Sequence, residues 1–155
     1  MGYDFNADDI FEMAEQLERN GAKFYKNAAK QTKDAETREF LMNLATMEDA
    51  HEKTFAKLRA ELSKEEKKPT VFDPAGESAL YLKSLVDMRV FFEKKVDVSS
   101  MEEILKAAIT AEKDSIIFYL GMKNMVPEKF GKNRIDAIIK EEMGHIHILG
   151  EKLLK

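Results

Sequence analysis

The feature that most constrains this chain is a short motif, glutamate followed three residues later by histidine, that occurs twice. The copies are Glu48 with His51 and Glu142 with His145, and the interval between them is 94 residues. Residues three apart lie on one side of an α-helix, so each copy would present a carboxylate and an imidazole together. Both groups bind divalent transition metals, so each copy is a candidate metal-binding pair.

The same interval relates further residues. A glutamate stands thirty residues before each motif, at Glu18 and Glu112, and a tyrosine follows that glutamate by seven residues, at Tyr25 and Tyr119. Four positions therefore recur at a spacing of 94 residues without an insertion or deletion. This repeat predicts a tandem duplication of a helical hairpin.

The repeated residues lie on largely apolar lines with the period of a helix. The four lines run through Phe11, Ala14, Glu18, Gly21, Tyr25 and Ala28; Leu41, Leu44, Glu48, His51, Phe55 and Leu58; Leu105, Ala108, Glu112, Ser115, Tyr119 and Met122; and Ile135, Ile138, Glu142, His145, Leu149 and Lys152. Four carboxylates in one bundle core would repel each other and lose hydration unless protons or cations neutralise them. Two divalent metal ions would balance the four charges.

Capping residues and helix breakers predict four helices within a single domain, residues 1–155. The expected helices span about residues 8–32, 34–63, 99–124 and 128–154, with a crossover at 64–98 that contains a short helix at 77–87. Asn6, Asp34 and either Ser99 or Ser100 can cap the first three helices, and Pro127 can start the fourth. The first link is so short that the helices it joins must be antiparallel neighbours.

The composition excludes several classes of function. With 25 basic and 29 acidic residues the net charge is −4, so nucleic acid is not an expected partner. No apolar run is long enough to span a membrane, and the N-terminus has no signal pattern, which predicts a cytoplasmic protein. The absence of cysteine excludes disulfides, thiolate nucleophiles and any iron–sulfur or rubredoxin-type site in this chain.

The pattern of one glutamate on helices one and three, and a Glu-x-x-His pair on helices two and four, resembles that of ferritin-like di-iron proteins. The tyrosine companion in both halves, the short chain and the crossover are most similar to the di-iron domain of rubrerythrin. The resemblance covers essentially the whole chain. It implies an all-α, ferritin-like four-helix bundle made of two antiparallel hairpins joined by a long crossover.

The resemblance also implies a role for each repeated residue. Glu18 and His51 would be terminal ligands of one iron ion, and Glu112 and His145 would be terminal ligands of the other. Glu48 and Glu142 would bridge the two ions. Tyr25 and Tyr119 would donate hydrogen bonds to ligand carboxylates of the opposite hairpin. Ordinary core packing is the alternative for each tyrosine. The ligand types suit manganese or zinc as well as iron.

Two departures from the rubrerythrin pattern bear on function. Rubrerythrins carry a cysteine-ligated rubredoxin domain, so this cysteine-free chain would need an external electron donor such as rubredoxin. They also carry a carboxylate three residues after the third helix's ligand, where this chain has Ser115. Asp114 or Glu52 could replace it, although neither belongs to the repeat and both are expected at solvated positions. His147 is expected on the surface, off the ligand line.

The resemblance implies reduction of hydrogen peroxide at a di-iron centre as the first function, with dioxygen as the other oxidant to consider. A ferroxidase or iron-binding role is the alternative with the same ligands. A helical interaction protein with a structural or vestigial metal site is the third hypothesis. The resemblance further implies a homodimer or larger assembly.

Overall fold

Four long helices make up most of the chain that the computed structural model describes, namely residues 7–62, 80, 84, 100–123, 126 and 131–155. They are α1 (Ala7–Gln31), α2 (Ala35–Ala60), α3 (Met101–Met122) and α4 (Asp136–Leu154), and a π-helical turn at Gly131–Ile135 leads into α4. Within these residues no helix is both long and apolar enough to cross a membrane.

Side-chain caps fix where two of the helices begin. The Asp34 carboxylate accepts hydrogen bonds from the backbone N–H of Thr37 at 2.9 Å and from its hydroxyl at 2.6 Å. The Ser100 hydroxyl accepts from the backbone N–H of Glu103 at 3.3 Å. Each cap satisfies an N–H group that has no partner within its helix. Only residues 32–34 separate α1 from α2, so the two helices form an antiparallel hairpin.

The fourth helix opens differently from the expected α-helix at 128–154. From Gly131 to Ile135 the backbone follows the wider π-helical path, and α4 then begins without a side-chain cap. Glycine is a weak helix former, which fits an irregular turn at this place. The proposed cap Asn6, the start at Pro127 and most of the short helix at 77–87 lie outside the described residues; Leu80 and Ser84 of that segment have helical backbone.

Two apolar clusters lie on either side of a polar layer. One cluster contains Phe11, Phe55, Phe118 and Ile138, and the other contains Ala28, Leu41, Leu44, Leu105 and Leu149. Each of the four helices contributes to both clusters, and its repeated glutamate lies between the two contributions along the sequence. The carboxylates are therefore enclosed by hydrocarbon at both ends of the layer.

Candidate metal centre

The six predicted ligands converge in the polar layer between the clusters. Each of them is at most 3% exposed, although glutamate and histidine are usually found at protein surfaces. They come from all four helices: Glu18, Glu48 and His51, Glu112, and Glu142 and His145. The 94-residue repeat therefore maps onto a single interior site.

Ligand atoms of these residues form two overlapping groups, in each of which all atoms lie within 4.8 Å of one another. The first group consists of Glu18, Glu48, His51 and Glu142, and the second consists of Glu48, Glu112, Glu142 and His145. Glu48 and Glu142 belong to both. The geometry thus offers two neighbouring candidate positions for a metal ion, and these positions share two carboxylates.

Both imidazoles point the same nitrogen into the cluster. His51 Nδ1 lies 3.0 Å from Glu142 Oε1 and 3.5 Å from Glu18 Oε2. His145 Nδ1 lies 3.3 Å from an oxygen of each of Glu48, Glu112 and Glu142. The rings stack with centroids 5.8 Å apart and an interplanar angle of 19°. Nδ1 is therefore the nitrogen available to a metal ion in both halves.

The two tyrosines tie the hairpins together across the site. The Tyr25 hydroxyl donates to Glu112 Oε1 at 2.7 Å, and the Tyr119 hydroxyl donates to Glu18 Oε1. Burial, followed by the nearby carboxylates, raises the pKa of both phenols well above its usual value, so both remain protonated donors. Tyr119 leaves the second oxygen of Glu18, Oε2, facing His51 Nδ1, whereas Tyr25 and His145 Nδ1 both meet Oε1 of Glu112.

The shifted pKa values of the ligand residues show that burying several carboxylates together is unfavourable. Burial and then the charge of Glu142 raise the pKa of Glu18 to about 7, and burial is also the main cause of the raised pKa values of Glu48 and Glu142. Burial alone would lower the pKa of His51, but the neighbouring carboxylates of Glu142 and Glu18 raise it to about 11. Protons compensate the carboxylates when no cation does.

Several buried ligand atoms have no hydrogen-bond partner among the described residues. They are Glu18 Oε2, Glu48 Oε1, Glu112 Oε2 and Glu142 Oε2. Buried polar atoms are normally satisfied, and four carboxylate oxygens in one layer are an unusual concentration of exceptions. Oxygen and imidazole nitrogen suit iron, manganese and zinc, so the residues fit a pair of such divalent ions.

Glu52 and Asp114, the residues considered as substitutes, differ in burial: Glu52 is partly exposed, whereas one carboxylate oxygen of Asp114 is buried rather than solvated as expected. The Glu52 carboxylate pairs with Arg19 at 2.9 Å at the surface, and neither Glu52 nor Asp114 belongs to the two ligand groups. The Ser115 hydroxyl donates to the carbonyl of Ala111 at 3.1 Å. The exposed His147 lies 3.4 Å from Glu151.

Glu141 contacts His51, and the sequence pattern did not reveal this contact. Its carboxylate meets His51 Nε2, the ring nitrogen that points away from the cluster. Glu141 is solvent-exposed, and the residue 94 positions earlier is Met47, so it stands outside the repeat that identified the other residues. Its position directly before Glu142 was the only available signal.

Comparisons with known proteins agree with this geometry. The rubrerythrin family model matches residues 9–154 of the chain. A crystal structure from Thermotoga maritima, described as a ferritin-like diiron-carboxylate protein, shares 22% sequence identity with a TM-score of 0.72, over 100% of this chain and 99% of that one. This likeness confirms the all-α, ferritin-like fold. No curated protein sequence matches the chain.

Metal binding should stabilise the fold through the shared carboxylates. At a free Mn²⁺ concentration about 100 times the dissociation constant, mass action predicts roughly 2.7 kcal/mol of stabilisation and a Tm rise of roughly 5–10 °C. Glu48→Ala removes a ligand common to both positions and should abolish the rise, whereas Glu52→Ala should retain it. Scanning calorimetry with and without Mn²⁺ tests this; equal rises in the two variants would contradict the ligand assignment.

The raised pKa of Glu18 predicts a pH-dependent stability of the metal-free protein. The folded pKa of about 7 exceeds the unfolded value of 4.5, so the unfolded state releases the proton first as the pH rises, and stability falls between pH 4.5 and 7. This loss amounts to about 3 kcal/mol. Glutamine cannot ionise and still accepts from Tyr119, so Glu18→Gln should gain that amount relative to the original chain over this interval.

Urea unfolding at a series of pH values, with a chelator present, measures the effect. Glu52→Gln is the matched control, because its carboxylate is paired at the surface, and its stability should follow that of the original chain. Parallel curves for Glu18→Gln and the original chain would show that Glu18 is not held in its protonated form by the fold.

Proposed function

We propose that this chain, which belongs to the rubrerythrin family, reduces hydrogen peroxide at a di-iron centre with electrons from a separate donor protein. The observation that carries the proposal is the sharing of Glu48 and Glu142 by both ligand groups. Two positions with common carboxylates are close enough for two metal ions to act on one small molecule.

In this proposal each position has its own terminal ligands. Glu18 and His51 would hold one iron ion, Glu112 and His145 would hold the other, and Glu48 and Glu142 would be shared by both. A reduced di-iron pair would supply the two electrons that, with two protons, convert one hydrogen peroxide into two molecules of water. The family membership favours iron over manganese and zinc, which the same ligand types would also accept.

The surrounding residues hold this arrangement in place. Tyr25 and Tyr119 each fix one oxygen of a terminal glutamate and so hold the orientation of its carboxylate. Hydrogen bonds of this kind orient ligands and commonly affect metal affinity. The apolar clusters on both sides of the layer limit the entry of water, which strengthens the electrostatic interactions within it.

A separate electron donor is part of the proposal. These 155 residues contain no cysteine, which a rubredoxin-type centre requires as its iron ligand. We propose a small electron-transfer protein such as rubredoxin as the donor. The cytoplasmic location remains a prediction from the sequence, and an assembly of two or more copies remains a prediction from the family resemblance.

A ferroxidase or iron-binding function is the second candidate, and Ser115 favours it. The hydroxyl of Ser115 is engaged with its own helix, at a position where rubrerythrins carry a further carboxylate. Neither Asp114 nor Glu52 joins the ligand groups to replace it. In this alternative, ferrous iron is the substrate and is oxidised by dioxygen or peroxide at the same six ligands.

Stopped-flow oxidation of the reduced di-iron protein separates the candidates. A peroxidase should react with hydrogen peroxide much faster than with dioxygen, whereas a ferroxidase should oxidise many added ferrous ions per chain. The protein loaded with zinc, which has no redox chemistry, is the control and should not react. Slow oxidation by peroxide, with repeated turnover of added ferrous iron, would replace the peroxidase proposal by the ferroxidase.

A further inference from the structure

His51 and His145 differ in the surroundings of Nε2, the ring nitrogen that does not face the carboxylate cluster. His51 Nε2 meets the carboxylate of Glu141. His145 Nε2 is buried and has no hydrogen-bond partner among the described residues. The cluster is therefore asymmetric on the side of the imidazoles that faces away from the metal positions, even though the six ligands follow the repeat.

The difference traces to one pair of residues in the sequence. The other cross-site contacts come in pairs related by the 94-residue shift: Tyr25 with Glu112 corresponds to Tyr119 with Glu18. Under the same shift, Glu141 corresponds to Met47. A carboxylate accepts a strong hydrogen bond from an imidazole N–H, whereas a thioether sulfur is only a weak acceptor. Among the described residues, the second half of the chain thus supplies a hydrogen-bond partner for His51, and the first half supplies none for His145.

We propose that Glu141 is a positioning residue for His51, and that it makes the metal position of Glu18 and His51 bind more tightly than the position of Glu112 and His145. The inference rests on the proposed function only in requiring that metal ions occupy the cluster. When a metal ion displaces the proton of His51 Nδ1, a hydrogen bond from Nε2–H to Glu141 keeps the remaining proton on Nε2 and leaves the lone pair of Nδ1 directed at the metal position. The His145 ring lacks this constraint within the described structure.

The size of the effect follows from the exposure of the carboxylate. Partners of metal-bound imidazoles typically change metal affinity by about 10–100-fold. The Glu141 side chain is 56% exposed, and solvent weakens its interaction with the imidazole. We therefore expect a change near the lower limit, about tenfold.

Variants with one histidine assign the effect to one position. His145→Ala weakens the position of Glu112 and His145 and leaves the contact between His51 and Glu141 intact. His51→Ala weakens the position of Glu18 and His51 and leaves Glu141 without an imidazole to contact. Adding Glu141→Leu should lower the affinity for Co²⁺ about tenfold in the His145→Ala chain and leave it unchanged in the His51→Ala chain. Glu141→Gln retains a hydrogen-bond acceptor and should restore most of the affinity. Glu151→Leu is the control, because it removes an exposed carboxylate of the same helix that lies beside His147 instead of His51.

Calorimetric titration of the metal-free protein with Co²⁺, together with the visible absorption of the bound ion, provides the measurement. The original chain should show two binding steps of different affinity, and Met47→Glu should tighten the weaker step by giving His145 a carboxylate. Two equal steps that Glu141→Leu does not alter would overturn this inference and leave the metal centre intact. Failure of the original chain to bind Co²⁺ at all would overturn the proposed function and this inference together.

Discussion

The structure depends on the enclosure of four carboxylates between two apolar clusters. Glu18, Glu48, Glu112 and Glu142 are almost inaccessible to water and close enough to repel one another. An arrangement of this kind is unfavourable unless positive charge enters it, as protons or as metal ions. The raised pKa values of Glu18, Glu48 and Glu142, and the two imidazoles that face the cluster, express this requirement. The clustered carboxylates therefore lower the stability of the fold until positive charge neutralises them, and the same property makes the cluster a candidate binding site for cations.

The 94-residue repeat explains how one short chain surrounds such a site. Each hairpin brings one glutamate and one Glu-x-x-His pair, and neither hairpin alone contains a complete ligand group. The hydroxyl groups of Tyr25 and Tyr119 reach the glutamates of the opposite hairpin, so the same contacts that orient the ligands also join the halves. Packing of the hairpins is therefore coupled to the proposed function, because a change that separates the hairpins also separates the residues of both ligand groups.

The sequence predicted the site better than its surroundings, for a physical reason. Buried ligands must follow the helical period, and the repeat places each of them twice, so the pattern identified all six residues that meet in the core. Glu141 escaped because it lies on an exposed face and its counterpart is Met47. The π-helical turn at Gly131–Ile135 has no periodic signature, since it changes only the local width of the backbone. Contacts between helices and local irregularities require the three-dimensional structure.

The central claim is that Glu48 and Glu142 are shared by two metal ions, and anomalous X-ray diffraction tests it most directly. Crystals grown with Mn²⁺ should show two anomalous peaks about 3.5–4 Å apart, each in contact with both glutamates. One peak should also contact Glu18 and His51, and the other should contact Glu112 and His145. A single peak, or peaks that lie away from these carboxylates, would contradict the account.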